Sequence, residues 1–360
     1  MGNAKILSPD LIIHPGETLK EVIEDRGISQ EELAIKTGFS AKHVSEVVNC
    51  KKDISSKFAS ALEIALNIPT SFWINLQGIY DREVYELESI NNISDEEFKI
   101  CDSLKEILSY CEKNNIIIST SNKSLKVLTA RKFLGITDLS NIDKISVPNV
   151  AYRGSNKYNL NVYVLYAWQR LCEYYTNKIV VKNNFNRDKL IDNLGNIKEA
   201  MFLDINKAIK KLTNIFEECG IAFAVVKNFT GAPVQGYIQK RNDKVTLCMT
   251  IRGSYADIFW FTLFHEIGHL LNDDFETKLL DYVFLDNRVE ERANAFARNV
   301  LIDENEYKKF IKEGNYTITN IRKFSTNQGV IPSIVIGRME KEFDNYSFMS
   351  DYRVRYKWDN

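Results

Sequence analysis

The residues best suited to chemistry lie together in one short run, HEIGH at positions 265–269. In a helix, residues four apart share a face, so His265 and His269 can both bind one metal ion. Glu266 lies beside them and can act as a general base on a water molecule. The chain has only four histidines, and this spacing is expected by chance on the order of a few times in a thousand such chains. The run therefore indicates a zinc site; the alternative is two hydrogen-bonded core histidines around a buried carboxylate.

The third zinc ligand has to come from elsewhere, because a catalytic zinc usually has three protein ligands and one open position. No other histidine or cysteine lies in a suitable pattern nearby, so a carboxylate is expected. Glu290, in a predicted helix over 288–302, lies near the inward stripe of that helix and is the favoured ligand. Two alternatives remain: Glu290 closes a capping box with Asn287, or Glu291 is the ligand. Asn294, four residues beyond Glu290, can hydrogen-bond a ligand imidazole.

These two helices need a scaffold, and the surrounding pattern predicts a compact α+β unit. A buried helix is expected over 257–271, where apolar residues flank the two histidines. The alternation over 245–251 predicts a strand, which is either a sheet edge that pairs with an extended substrate or an interior strand. The other elements expected in this unit are a strand over 221–226 and helices over 205–219 and 332–343.

The N-terminal segment predicts a helix-turn-helix, in which two short helices are joined by a tight turn containing Gly38. Ser29 and Glu32 form a capping box at the start of the first of these helices, and Ser40 caps the second. The expected inward stripe of the second is Ala41, Val44, Val47 and Val48. Its outward residues are expected to meet base edges in a DNA major groove. The candidate DNA-binding residues are Gln30, Ser40, Lys42, His43, Ser45, Lys51 and Lys52.

Charge is balanced over the whole chain but uneven along it. The 47 cationic residues oppose 48 acidic ones, which excludes a histone-like polycation and an acidic disordered chain. Residues 113–189 carry an excess of nine cations, typical of solvated helix faces or of a surface for nucleic acid or an acidic partner. Residues 10–63 carry three more anions than cations, which is unusual for a DNA-binding module.

The cysteines and the apolar runs indicate in which cellular compartment the protein is expected. Six cysteines are scattered without a C-x-x-C pair, which predicts free thiols in a reducing, cytoplasmic environment. The N-terminus lacks the apolar run of a signal peptide. The longest apolar stretch, about 258–271, is interrupted by both histidines and Glu266, so no membrane span and no membrane partner are expected.

Three runs near the N-terminus carry a resemblance to a known family: IHPGE at 13–17, GISQEELA at 27–34 and FWINLQ at 72–77. They are similar to the HigA-type antitoxins, which belong to the Cro/repressor-like helix-turn-helix class. The resemblance covers about residues 11–80. It implies a five-helix bundle that forms a homodimer and binds a palindromic, double-stranded DNA operator.

The C-terminal part resembles the ImmA/IrrE family of zinc peptidases over about residues 200–345. The matching runs are MTIR at 249–252, FWFTLFHEIGH at 259–269 and the pattern E-x-x-A-N-x-F-A-R-x-x-L-I over 290–302. The resemblance implies a gluzincin-like site with His265, His269 and Glu290 as zinc ligands and Glu266 as the catalytic base. Arg298 and Tyr282 are the candidates for stabilising the oxyanion.

The predicted fold is mainly α with an α+β part. Its segments are an N-terminal five-helix helix-turn-helix bundle over 9–88, a helical middle region over 95–200, a gluzincin-like zinc peptidase domain with a small sheet over 201–345, and a tail over 346–360. The favoured function is a bacterial DNA-binding regulator or antitoxin-like protein that cleaves a substrate protein, cognate toxin or regulator. One alternative is a DNA-binding repressor whose zinc domain is a non-proteolytic sensor or scaffold. Another is a peptidase whose helix-turn-helix is only a docking module.

Overall fold

The structure, a computed structural model, describes residues 11–146, 160–241, 244–251, 253–272, 279–280 and 287–357. It is mostly helical with one small sheet, which confirms the predicted fold class. The chain divides into two compact units. The first holds residues 11–102 and 112–132, and the second holds 103–111 and the described residues from 133 onward. None of the described helices combines the length and apolarity that a bilayer span requires.

The first unit begins with five helices, which confirms the predicted bundle. They are α1 (Pro15–Asp25), α2 (Gln30–Thr37), α3 (Ala41–Val48), α4 (Ser56–Leu66) and α5 (Thr70–Asn91). Their apolar faces enclose one core, in which Leu19, Leu33, Val44, Phe58 and Trp73 are fully buried. Burial of this apolar surface is the main force that holds the bundle together, since α1 to α4 have only eight to eleven residues each and isolated helices of that length are marginal in water.

Short-range signals set the ends of the helix-turn-helix as predicted. The Ser29 hydroxyl accepts a hydrogen bond from the Glu32 backbone N–H at 3.1 Å. Gly38 ends α2 with a φ of 70°, a left-handed conformation that favours glycine. Ser40 caps α3, accepting from the His43 N–H at 3.2 Å. One expected inward residue differs: Ala41 is exposed, because it lies in the first turn of α3, ahead of the valines that reach the core.

Five further helices follow along the chain. They are α6 (Asp95–Ser103), α7 (Lys105–Lys113), α8 (Lys123–Leu134), α9 (Ile142–Ser146) and α10 (Val162–Asn177). Within the first unit, Arg131 on α8 holds the buried Glu97 on α6 through two hydrogen bonds of 2.8 and 2.5 Å. Within the second unit, α10 buries Trp168, Leu171 and Cys172. Both observations show that this part of the chain is built from packed helices.

The remaining elements form the α+β part, and each predicted element of that part is present with ends moved by at most two residues. The helices are α11 (Arg187–Asp192), α12 (Leu194–Glu199), α13 (Ile205–Glu218), α14 (Ala256–Leu271), α15 (Asn287–Leu301), α16 (Glu304–Glu313), α17 (Ile318–Gln328) and α18 (Pro332–Glu342). The strands are β1 (Ile221–Val225), β2 (Gly236–Arg241), β3 (Lys244–Met249) and β4 (Leu279–Leu280).

The sheet order decides the place of the strand predicted over 245–251. The order is β1-β3-β2-β4, with β3 parallel to β1 and antiparallel to β2. β3 is therefore an interior strand, and the alternative in which it forms the sheet edge is wrong. The sequence did not predict β2, because Gln239, Lys240 and Arg241 break its apolar alternation. Pairing with β3 makes this polar run a strand.

The end of the chain packs against the first turns of α14. The Arg353 guanidinium donates to both carboxylate oxygens of Asp257 at 2.9 and 2.6 Å and to Glu340 on α18 at 2.5 Å. One turn along α14, the indole N–H of Trp260 donates to the Tyr356 hydroxyl at 2.7 Å. These buried contacts hold the start of α14 against α18 and against residues 353–356.

Candidate metal centre

The run HEIGH lies in α14, a helix that is buried on nearly every side. A helix of this kind belongs in the core of a domain. Within it, His265, Glu266 and His269 are at most 5% exposed. Burying three ionisable side chains is costly unless they have partners. Helix α15 supplies partners to both histidines.

Three side chains converge between α14 and α15. The Nε2 atoms of His265 and His269 lie 3.0 Å apart. Glu290 places Oε2 3.3 Å from Nε2 of His265 and Oε1 3.7 Å from Nε2 of His269. One potential ligand atom from each residue lies within 4.8 Å of the others. Two imidazoles and a carboxylate are a donor set that zinc takes in catalytic sites, with a further position left open. The donor set and its spacing thus fit a zinc ion.

The orientation of His265 is set from its other ring nitrogen. Nδ1 of His265 lies 3.0 Å from the side-chain oxygen Oδ1 of Asn294. An amide oxygen only accepts hydrogen bonds, so Nδ1 carries the hydrogen and Nε2 keeps its lone pair. That lone pair faces the cluster. Such a partner behind a ligating imidazole raises its basicity and holds its ring in place.

The two neighbouring glutamates of α15 face different surroundings. Glu290 is half-buried and its carboxylate faces both imidazoles. Burial raises the pKa of Glu290, but its hydrogen bond to His265 and the charges of both histidines outweigh burial and hold that pKa below its ordinary value. Glu291 is 70% exposed and lies 3.7 Å from the Arg298 guanidinium. The structure therefore brings the Glu290 carboxylate, and not that of Glu291, to the histidines.

Small residues allow the two helices to approach. A Cβ on Gly268 would lie 3.1 Å from the Cα of Ala293, which is tighter than ordinary side-chain contact. Glu290 lies one turn before Ala293, so this close approach of the helices brings the Glu290 carboxylate within reach of the imidazoles. The sequence pattern assigned no role to Gly268.

Glu266 faces the start of β2, which the sequence did not connect with the site. A Cβ on Gly236 would lie 2.6 Å from Cδ and 2.7 Å from Cγ of Glu266. Beside it, the hydroxyl of Thr262, one turn before Glu266, donates to Oε1 of Gln235 at 2.9 Å. No local signal marks Gly236 or Gln235, because their proximity to α14 depends on the sheet order.

Of the two oxyanion candidates, the structure describes only Arg298. Arg298 lies two turns beyond Glu290 and pairs with the exposed Glu291. Tyr282 lies outside the described residues. The described candidate is therefore paired with an exposed carboxylate, and the oxyanion role of both residues stays a prediction.

The candidate DNA-binding residues lie on or next to α2 and α3. Lys42 is exposed at the start of α3, and its ammonium lies 3.8 Å from the Glu46 carboxylate. Ser45 is half-buried, and its hydroxyl accepts from the Asn49 side chain at 3.2 Å. Ser40, Lys51 and Lys52 are exposed, whereas Gln30 is half-buried. Cationic side chains are therefore accessible on and after α3.

His43 differs from its expected outward orientation. Its ring centroid lies 4.7 Å from that of Phe39 and 4.8 Å from that of Phe58, so the ring packs against the bundle. Burial lowers the pKa of His43, and the charge of Lys52 lowers it further. The expectation that His43 points away from the bundle is wrong, because aromatic residues of two other segments cover it.

Two family models match parts of the chain. Residues 257–339 match Peptidase M78, the IrrE N-terminal-like domain, and residues 19–73 match a helix-turn-helix model. The first range contains α14 and α15 with the clustered side chains, and the second contains α2 and α3. The chain therefore combines a helix-turn-helix domain with an IrrE N-terminal-like domain, as the two resemblances imply.

Similar proteins match short stretches of the chain. Virulence-associated protein A' of Dichelobacter nodosus is 36% identical over 69 residues, which is 19% of this chain, and the chain spans 60% of that relative. A putative antidote protein of a plasmid maintenance system from Nostoc punctiforme is 34% identical, with 21% of this chain and 84% of that chain covered at a TM-score of 0.20. The Pseudomonas aeruginosa antitoxin HigA with the higBA promoter is 32% identical, with the same coverage and a TM-score of 0.21.

Proposed function

We propose that this protein is a regulator that binds double-stranded DNA through its helix-turn-helix domain and cleaves a protein partner with a zinc endopeptidase in its second unit. The observation that carries the proposal is the convergence of His265 and His269, on the buried helix α14, with Glu290 on α15. Glu266 follows His265 on the same buried helix. The match of residues 257–339 to the IrrE N-terminal-like peptidase domain supports it. All six cysteines are free thiols, which fits a cytoplasmic protein.

Each side chain of the site has one task in this proposal. His265, His269 and Glu290 hold the zinc ion, and Asn294 keeps His265 in the tautomer that presents Nε2. Zinc held there supplies Lewis acidity, which activates water and polarises a peptide carbonyl. Glu266 takes the proton of the attacking water and passes it to the leaving amine.

The Glu266→Gln variant tests the peptidase. The substitution keeps the shape of the side chain and removes only the base, so the variant should bind zinc and its partner without cutting that partner. A tagged, full-length variant would capture the partner from a lysate of the native host. Wild-type protein with zinc should then cut the captured protein at least about 100-fold faster than the variant does, and 1,10-phenanthroline should stop the cleavage.

The opposite result identifies the other candidate function. If wild-type protein binds zinc and leaves every captured protein intact, the endopeptidase is contradicted. The second unit is then a sensor or scaffold on a DNA-binding antitoxin or repressor.

The DNA-binding part of the proposal rests on α3 and on the family match over 19–73. Lys42, Lys51 and Lys52 are exposed on and just after the helix that enters the major groove in this class. Helix-turn-helix proteins commonly bind two half-sites as dimers, so a homodimer on a palindromic operator is expected. Phe72 and Ile79, seven residues apart on α5 and 44% and 45% exposed, could pack against a second copy.

A further inference from the structure

We propose that Gly236 is a positioning residue for Glu266, and that the absence of a side chain at 236 provides the space in which the Glu266 carboxylate is held. This inference rests on the proposed function, in which Glu266 is the general base. It assigns a role in that site to the start of β2, which contributes no metal-binding side chain.

The steric argument concerns atoms beyond Cβ of Glu266. A Cβ built on Gly236 would come within 2.6 Å of Cδ and 2.7 Å of Cγ, and still closer to Oε1. Real Cβ atoms essentially never approach other heavy atoms within 3.0 Å. Gly236 is not among the glycines with positive φ, so its backbone is one that other residues can adopt. Space, and not backbone conformation, requires glycine here.

The start of β2 is held in place and cannot retreat from a larger side chain. The side-chain oxygen of Gln235 accepts a hydrogen bond from the Thr262 hydroxyl at 2.9 Å. The backbone carbonyl of Gln235 accepts one from the Thr250 backbone N–H, also at 2.9 Å. Gly236 itself lies opposite Met249 in the β2–β3 register.

The Glu266 side chain also has little room to change its conformation. The residue is 2% exposed on a helix buried on nearly every side, so its carboxylate cannot swing into solvent. A methyl group at 236 would therefore push the carboxylate away from its place. The three clustered side chains lie between α14 and α15, so they should keep their positions.

A double-mutant cycle on the full-length chain tests the contact. Glu266→Ala removes the three heavy atoms that would lie nearest to a Cβ at 236. Gly236→Ala should lower the Tm by about 4 °C or more when Glu266 is present, since overpacking a filled site is destabilising. In the Glu266→Ala background the same change should lower the Tm by less than about 1 °C. Equal losses in both backgrounds would overturn the inference.

A second measurement separates positioning from general damage to the fold. Gly236→Ala should bind zinc with an affinity within about 3-fold of wild type, yet cut the captured partner at least about 100-fold more slowly, as Glu266→Gln does. Gly195→Ala is the matched control, because a Cβ there meets nothing within 4 Å. That control should retain both zinc and cleavage. Full cleavage by Gly236→Ala, or loss of zinc together with cleavage, would contradict the positioning role.

The two proposals fail in different ways. If wild-type protein cuts nothing, the proposed peptidase fails, while the Tm cycle still decides whether Gly236 provides the space for Glu266. If wild-type protein cuts its partner and the cycle is additive, the peptidase stands and the role of Gly236 is wrong.

Discussion

Glu290 and Glu291 are adjacent in the sequence, yet a helix turns by about 100° per residue and sends their side chains in different directions. The first faces both imidazoles, and the second pairs with Arg298 at the surface. The rotation of α15 therefore decides which of the two carboxylates faces α14 and is available as the proposed zinc ligand.

We expect Glu290→Gln to weaken zinc binding more than about 100-fold. Loss of a residue that binds the metal directly should exceed the roughly 10–100-fold effect of losing a residue that only hydrogen-bonds a ligand. Competition with a chromophoric chelator on the full-length protein measures this. Glu291→Gln is the matched control and should bind zinc like wild type. Equal loss in both variants, or in neither, would show that Glu290 is not the ligand.

Asn294 acts on the site through its hydrogen bond with Nδ1 of His265. Asn294→Ala should weaken zinc binding by about 10–100-fold, less than the loss of Glu290. The same chelator competition applies. Asn299→Ala, an exposed change on the same helix, should have no effect, and a comparable loss there would mean that the measured effect comes from α15 as a whole.

At the scale of elements, α14 has to be held in one position, because two of the clustered side chains and Glu266 all lie on it. Arg353 and Tyr356 secure its first turns, and Gly268 admits α15 against its later ones. Arg353 and Tyr356 therefore belong to the framework of the site.

We expect Arg353→Met to lower the free energy of unfolding by about 3 kcal/mol or more, because it leaves Asp257 and Glu340 buried without their cationic partner. Chemical denaturation of the full-length protein measures this. Arg355→Met is the control on an exposed neighbour, which the structure pairs with the Tyr255 hydroxyl. A loss of similar size in both variants would contradict a specific role for the buried cluster.

The loss of stability caused by Arg353→Met should depend on pH. Burial raises the pKa of Asp257 and of Glu340, and in each case Arg353 opposes the rise. Without Arg353 both pKa values should rise further. A carboxyl with a raised folded-state pKa contributes most at low pH, and its contribution is lost as pH rises through that pKa. The deficit of Arg353→Met should therefore be smaller at pH 5 than at pH 8.

At the scale of the whole molecule, one chain joins a helix-turn-helix domain to an IrrE N-terminal-like domain. The first domain carries an excess of anions over residues 10–63, so its accessible cations on and after α3 have to supply the attraction for phosphate. The proposed DNA binding should therefore be sensitive to the loss of a few lysines.

We expect Lys42→Ala combined with Ser45→Ala to weaken binding to the protein's own promoter by about 1–3 kcal/mol per base contact and binding to random DNA much less. Lys51→Ala with Lys52→Ala should weaken both alike and reduce the salt slope by about one for each lysine. Fluorescence anisotropy on both DNAs, with two chains expected per operator, measures these effects.

Lys207→Ala, an exposed change on α13 of the second unit, is the control for loss of charge. It should leave binding unchanged. Wild-type protein that shows no preference for its promoter would make the helix-turn-helix a docking module for proteins.

The amino-acid sequence by itself determined the features that depend on residues a few positions apart. These include the caps at Ser29 and Ser40, the shared face of His265 and His269, and the approximate bounds of the helices in the α+β part. Helix caps and helical faces follow from local backbone geometry, so a short window of sequence contains the necessary information.

Only the tertiary structure decided the features that depend on how distant elements meet. It placed β3 inside the sheet, packed the His43 ring against Phe39 and Phe58, and brought Glu290 to the histidines. It also set Gly236 against Glu266, thirty residues further along the chain. The physical reason is that sheet order and helix rotation are settled by burial and packing across the whole core, and no local pattern encodes which distant residues will share that space.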